Sequence, residues 1–239
     1  MKLITTSWDD GHPLDFRIAQ LLDKYNMRGT FYIPRANDEH AVMNEKEIKD
    51  LSKHFEIGGH TLNHVRLWEK ATVDHEYEIS GSYQWLKGLL DSDPISFCYP
   101  GGVYNKTAIQ HVRNAGYKIS RTTELLSIEN DGDQAIVPTS LQLYEHSQFT
   151  FCKHLLKRKK VRNLVQWMCS GATSNMLKLA DYYVKRIDDR GEGCFHLWGH
   201  SWEIEEFGLW AKLEELLRHL SGYNEFSYIE NGKLIDVKN

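Results

Sequence analysis

No apolar run in this sequence approaches the ~20 residues that a bilayer-spanning helix needs, so no membrane span is expected. The opening MKLITTSWDD reaches charge too soon for a secretory leader, which gives the expectation of a cytoplasmic protein. Cysteine is scarce. Cys98, Cys152, Cys169 and Cys194 form no CxxC pair, which argues against a cysteine zinc site or a disulfide framework and leaves free thiols. Neither sign of charge prevails. With 33 acidic and 29 basic residues the net charge is -4, which gives no global attraction to nucleic acid or to an anionic membrane. Only the segment KHLLKRKKVR, residues 153 to 162, could form a local basic patch, and its competing reading is a solvated helix face. Repeats, low-complexity tracts and linkers are also absent, so the 239 residues are expected to form one domain.

What is present suits a folded α/β protein. Hydrophobic residues make up 41% of the chain, enough for a sizeable core, and charged residues 26%. Short apolar runs alternate with amphipathic helical stretches, the pattern of a parallel sheet with crossover helices. KLITTSW reads as a strand and PLDFRIAQLLDKYNM as a helix with Pro13 near its first turn. RGTFYIP is a second strand, NEKEIKDLSKHF a helix capped by Asn44, and EIGGHT a short third strand. A long helix follows at about 73 to 91, then a strand at ISFCYP, a helix at NKTAIQHVRNAG and a strand at YKISRT. HSQFTFCKHLLKRKKVRNLVQWM and TSNMLKLADYYVKRIDDRG read as two helices. GCFHLWGH is then a strand and EIEEFGLWAKLEELLRHLSG a helix, and EFSYIENGKLI is a terminal strand or a hairpin around Asn231 and Gly232.

In a parallel barrel the residues at the strand ends meet at one face, whatever their separation in sequence. Those ends offer Asp9 and Asp10, His60 and His64, the Tyr99–Pro100–Gly101 turn, and His200. His60 and His64 stand four apart, which would put both imidazoles on one face of a helical turn, able to chelate one metal. Either Asp9 or Asp10 could complete a site of two histidines and a carboxylate, one serving as ligand and the other handling protons. Taken singly, an HxxxH pair is more often a surface or capping pair, and Asp–Asp–Gly is more often a turn with Asp10 capping the next helix. Their occurrence in tandem at successive strand ends favours the chemical reading.

The set SWDDGHPLD, EIGGHTLNH, FCYPGG and FHLWGH resembles the polysaccharide deacetylase family, also called the NodB-homology domain. Its usual motifs are T-F-D-D-G, H-S/T-x-x-H, a Pro-centred loop and an apolar strand ending L-x-H, and the likeness runs in order along nearly the whole chain. The resemblance implies a distorted (β/α) barrel of about seven parallel strands, a single domain over 1–239 with a helical insertion at about 145–190. It implies Asp10, His60 and His64 as metal ligands, Asp9 as catalytic base and His200 as general acid, with His196 as a competing acid or a buried supporting residue. The metal would be zinc, with Co2+, Ni2+, Mn2+ or Fe2+ as alternatives, and the oxyanion would meet a backbone N–H of the Pro100 turn, where Gly101 still carries one. The arginine that in many members opens the third motif and orients the catalytic aspartate is missing, and Gly101 replaces the aromatic after the proline. Arg121 is the candidate substitute from another strand, against a reading as a surface cation. The family's Asp and Trp pair that supports the histidine acid is not recognisable. Trp198, Trp202 and Glu203 could take over that support, although Ser201 and Glu203 also read as a helix entry, with Ser201 as N-cap. Trp8, Tyr99, Trp198 and Trp202 are either apolar walls for a sugar ring or core.

The function so implied is removal of an N-acetyl group from a sugar or glycan. Alternatives are hydrolysis of another C–N bond in a small molecule, such as a formamide, cyclic ureide or sugar-nucleotide, and a non-catalytic metal-containing carbohydrate-binding protein. The expected partner is thus an N-acetylated carbohydrate or small amide, with no nucleic acid. The sequence does not yield the oligomeric state.

Overall fold

The first strand, β1 (Lys2–Asp9), is buried on both faces along nearly all its length, as a strand inside a parallel α/β sheet must be. A computed structural model describes residues 1–67, 74–129, 132–157 and 160–237. After β1 come α1 (Asp15–Lys24), β2 (Thr30–Ile33), α2 (Glu45–Ser52), β3 (Glu56–Gly59), α3 (His75–Leu89), β4 (Ser96–Cys98), α4 (Lys106–Ala115) and β5 (Ile119–Arg121). Then follow β6 (Leu141–Gln142), α5 (Gln148–Lys157), α6 (Val161–Cys169), α7 (Met176–Arg190), β7 (Gly193–His200), α8 (Ser201–Glu206), α9 (Trp210–Leu220) and β8 (Ser227–Tyr228). The sheet order is β5-β4-β3-β2-β1-β7-β6, every pairing is parallel, and the short β8 pairs with β1. This is the distorted (β/α) barrel with about seven parallel strands, a half-barrel flanked by helices.

Local chemistry explains several boundaries. Asn44 caps α2 through a full capping box, its side chain accepting from the Glu47 N–H while Glu47 accepts from the Asn44 N–H. Gly59 closes β3 because a Cβ there would stand 2.0 Å from the Tyr117 hydroxyl. Several polar residues inside the barrel pair with one another. Thr5 donates to Asn231 at 2.7 Å, and Ser7 bonds His196 at 2.8 Å.

Three expectations require correction. The helix expected from His146 onward is two helices, α5 and α6; residues 158–159 of the basic segment lie outside the described residues. The C-terminal hairpin does not form: β8 is followed by a 3-10 segment, Asn231–Asp236. The reason is that Asn231 is drawn inside, donating to the Tyr32 hydroxyl at 2.9 Å, while its N–H donates to Thr30. Ser201 is not an N-cap; it is the first residue of α8, and His200 precedes it in an extended conformation. Among the described residues, no helix is long and apolar enough to cross a membrane.

Candidate active site

Asp9 ends β1 and His200 ends β7, and the register of these strands makes them direct neighbours. The next two residues, Asp10 and Gly11, have φ of 77° and 62°, and a Cβ on Gly11 would lie 2.6 Å from Ile33 Cγ2. This tight left-handed turn explains the Asp–Asp–Gly order: glycine is required at the third place, and the two carboxylates receive different partners. The competing reading, Asp10 as the cap of α1, does not hold, since α1 has no side-chain cap.

Asp10 meets the two histidines. His64 Nε2 lies 3.0 Å and His60 Nε2 3.5 Å from Asp10 Oδ1, and the imidazole centroids are 5.1 Å apart. The expected helical turn at 60–64 is absent; a bent loop brings the rings together, with Thr61 at φ 63° and His64 at φ 52°. Glu78, buried on α3, pins that loop by accepting from the N–H groups of Leu62 and Asn63 and from the Asn63 amide. His60 Nδ1 faces the Cys98 carbonyl at 2.8 Å, which leaves Nε2 for Asp10 or a metal. Burial opposes the charge on Asp10, but contact with both imidazoles holds its carboxyl well below the usual range.

The donor set fits a divalent cation. The ligand atoms of Asp10, His60 and His64 all lie within 4.8 Å of one another, and Asp10 Oδ1 is buried without a hydrogen bond of good geometry, so the three converge on a point rather than on each other. A second grouping, Asp9, His60 and Cys98, is equally compact. It is a poor cation site, because Asp9 is already paired to a buried guanidinium.

That guanidinium is Arg121, whose Nη2 donates to Asp9 Oδ1. Arg121 is 1% exposed, so the surface-cation reading does not hold. It lies 5.2 Å over the Tyr32 ring and 4.8 Å over Trp198. The Cys98 thiol donates to the other oxygen, Oδ2, at 3.6 Å. Burial pushes that thiol well above its ordinary pKa, so it remains an S–H donor.

His200 Nδ1 lies 3.2 Å from Glu203 Oε2, and Gln142 donates to the same oxygen. Burial lowers the His200 pKa, but the Glu203 contact and the charges of Asp10 and Asp9 outweigh it, and the net shift is upward. His196 faces the barrel interior, bonded to Ser7 and Asn231, and burial holds it well below the ordinary imidazole value. Of its two readings, this placement matches the buried supporting residue. Trp202 donates its indole N–H to Asp10 Oδ2 at 2.8 Å and stacks on His40 at 3.9 Å.

Of the proposed walls, Trp8 and Tyr99 are core. Both are fully buried, and the Tyr99 hydroxyl donates to the Ala135 carbonyl. Tyr99 is therefore corrected from a substrate contact to a packing residue. Pro100 is buried behind it, while Gly101, Trp198 and Trp202 line the groove above Asp9 and Asp10. That groove measures about 350 Å³, and its far wall is built by Thr123, Leu125 and His154, the last from α5. Sequence reasoning missed Glu78, His40, Gln142 and the Cys98 side chain. A larger cavity, about 500 Å³, between α2 and the residues before β4 is at the opposite ends of the strands and touches none of this chemistry.

Comparison with known proteins bears on the family and the fold. The family described as Polysaccharide deacetylase matches residues 1–120. Among solved structures, the chain is similar to the Streptococcus pyogenes deacetylase PplD in complex with acetate, at 24% identity and TM-score 0.50, covering 56% of this chain and 62% of that one. The match thus spans less than two thirds of PplD. The chain is also similar to a family 4 acetyl xylan esterase from Clostridium thermocellum in complex with a cobalt ion, at 14% identity and TM-score 0.59, covering 98% and 91%. A third similar structure is a T48 deacetylase with substrate, at 12% identity and TM-score 0.56, covering 100% and 92%. At these identities the likeness speaks for the fold. No curated protein matches. Because the family match covers half of the 239 residues and takes in the strand ends that carry Asp9, Asp10, His60 and His64, this chain belongs to the polysaccharide deacetylase family.

Proposed function

We propose that this protein is a metal-dependent hydrolase that removes the acetyl group from an N-acetylated sugar, with Asp9 as base and His200 as acid. The observation that carries this reading is the separation of roles between adjacent carboxylates: Asp10 belongs to the histidine pair, and Asp9 to Arg121. Asp10, His60 and His64 would hold the metal, zinc by the nitrogen and oxygen donor set, with Co2+, Ni2+, Mn2+ or Fe2+ as alternatives. When bound, the cation supplies Lewis acidity to the substrate carbonyl and to the attacking water.

The chain's own residues supply the proton steps. Asp9, oriented by Arg121, accepts the proton of the attacking water. His200, held by Glu203 and raised in pKa, gives a proton to the departing nitrogen. The Gly101 N–H, at the rim of the groove, is the backbone donor for the oxyanion. Trp198 and Trp202 give the sugar an apolar face.

The groove, about 350 Å³, has room for a sugar unit carrying its acetyl group and equally for another small amide, which is the second reading. The test is acetate release by zinc-loaded protein from N-acetylglucosamine and its oligomers, beside a panel of small amides. Asp9→Asn should keep its metal and lose on the order of 10²–10⁴ in turnover. Fully metal-loaded protein that hydrolyses none of these amides would instead favour a binding protein.

A further inference from the structure

The mechanism above gives the side chain of Cys98 no task, yet it lies against the catalytic base. Cys98 closes β4 as Arg121 closes β5, and the register of the two strands makes them direct partners. Both side chains reach one carboxylate, Arg121 at Asp9 Oδ1 and the fully buried Cys98 thiol at Oδ2, 3.6 Å away. The thiol's alternative acceptor, the Tyr99 carbonyl, is slightly farther at 3.7 Å and is neutral. The Cys98 carbonyl meanwhile accepts from His60 Nδ1, so one residue touches the base through its side chain and a metal-ligand candidate through its backbone.

We propose that Cys98 is a positioning residue for Asp9: its S–H donates to Oδ2 and, with Arg121 on Oδ1, fixes the plane of the carboxylate. A single guanidinium nitrogen on one oxygen leaves the carboxylate free to turn about its Cβ–Cγ bond. A second donor on the other oxygen, delivered from the neighbouring strand, removes that freedom. The proposal rests on the reading of Asp9 as the base only for its kinetic consequence; the hydrogen bond is tested apart from activity.

The direct test is infrared spectroscopy of the metal-loaded protein in the S–H stretching region. The band lost in Cys98→Ser identifies the Cys98 thiol. In Asp9→Ala, and in the isosteric Asp9→Asn, that band should move to higher frequency as the charged acceptor disappears. A band unmoved in both variants overturns the proposal, whatever the activity.

The kinetic test compares Cys98→Ala with Cys98→Ser. Alanine removes the donor and should lower kcat about fivefold at unchanged KM, the size of one weak S–H···O hydrogen bond. Serine keeps a donor and should stay within about twofold of wild type. Equal losses in both variants, or no loss in either, overturn the proposal. If the wild type hydrolyses no amide, the functional reading fails while the infrared result still decides the role of Cys98.

Discussion

Arg121 and Asp9 end strands β5 and β1, with β4, β3 and β2 between them in the sheet, and their side chains meet across the barrel interior. Only the curl of the sheet makes this contact available. Both groups are buried, so removing one leaves the other charged and uncompensated. Arg121→Ala should therefore cost about 3–5 kcal/mol in urea unfolding. It should also lower kcat roughly 100-fold, as Asp9, the proposed base, loses its orientation. Lysine would restore charge but not the planar group between Tyr32 and Trp198, and should recover stability only in part. An Arg121→Ala protein with wild-type kcat would remove Arg121 from the mechanism.

Trp202 leads to a prediction about metal affinity rather than catalysis. Its indole N–H occupies Asp10 Oδ2, leaving Oδ1 to face the histidines. A partner that orients a ligand in this way is typically worth 10–100-fold in affinity, so Trp202→Phe should weaken zinc binding by about that factor. Competition titration with a chromophoric chelator reads the constant directly. Unchanged affinity would show that the indole serves only the groove wall.

The strand-end carboxylates and histidines were legible in the sequence because a parallel barrel sends each strand end to the same face. How they converge was not. His60 and His64 suggested a helical turn, but their loop is set by left-handed residues and by Glu78, which in the segment HEYEIS looks like an ordinary solvated helix acid. No local pattern shows that backbone amides some fifteen residues earlier will claim it. Arg121 could be named as a candidate, but its contact with Asp9 depends on strands that are not neighbours. The Asn231–Gly232 signal was misread for the opposite reason: a good local turn pair was overridden by a buried amide network.

Glu203 should control the alkaline side of the activity profile. In the proposed reaction His200 is protonated when the nitrogen leaves, and its pKa is raised, so activity should persist above the ordinary imidazole value and fall as pH rises through the shifted one. Glu203→Gln removes the negative charge at 3.2 Å and should move that limb to lower pH. The measurement is kcat/KM against pH for both proteins. Coincident alkaline limbs would mean that Glu203 does not set the proton affinity of the acid.

Asp15 gives a prediction about stability. It opens α1 fully buried, neither carboxylate oxygen has a hydrogen bond of good geometry, and the Ser201 hydroxyl lies alongside. Burial pushes its pKa well above the ordinary value; Ser201 pulls the other way, and the charges of Asp10 and Asp9 add to the rise. The raised pKa means that the native state holds a proton the unfolded chain releases from about pH 4 upward. Wild-type stability is therefore eroded as pH climbs from there to the folded-state pKa, beyond which the loss is constant. Asp15→Asn carries no such proton and escapes the loss. The difference in unfolding free energy, variant minus wild type, should grow with pH over that window and then level off. A difference that stays flat between about pH 4 and 8 would show that Asp15 is not held as the neutral acid.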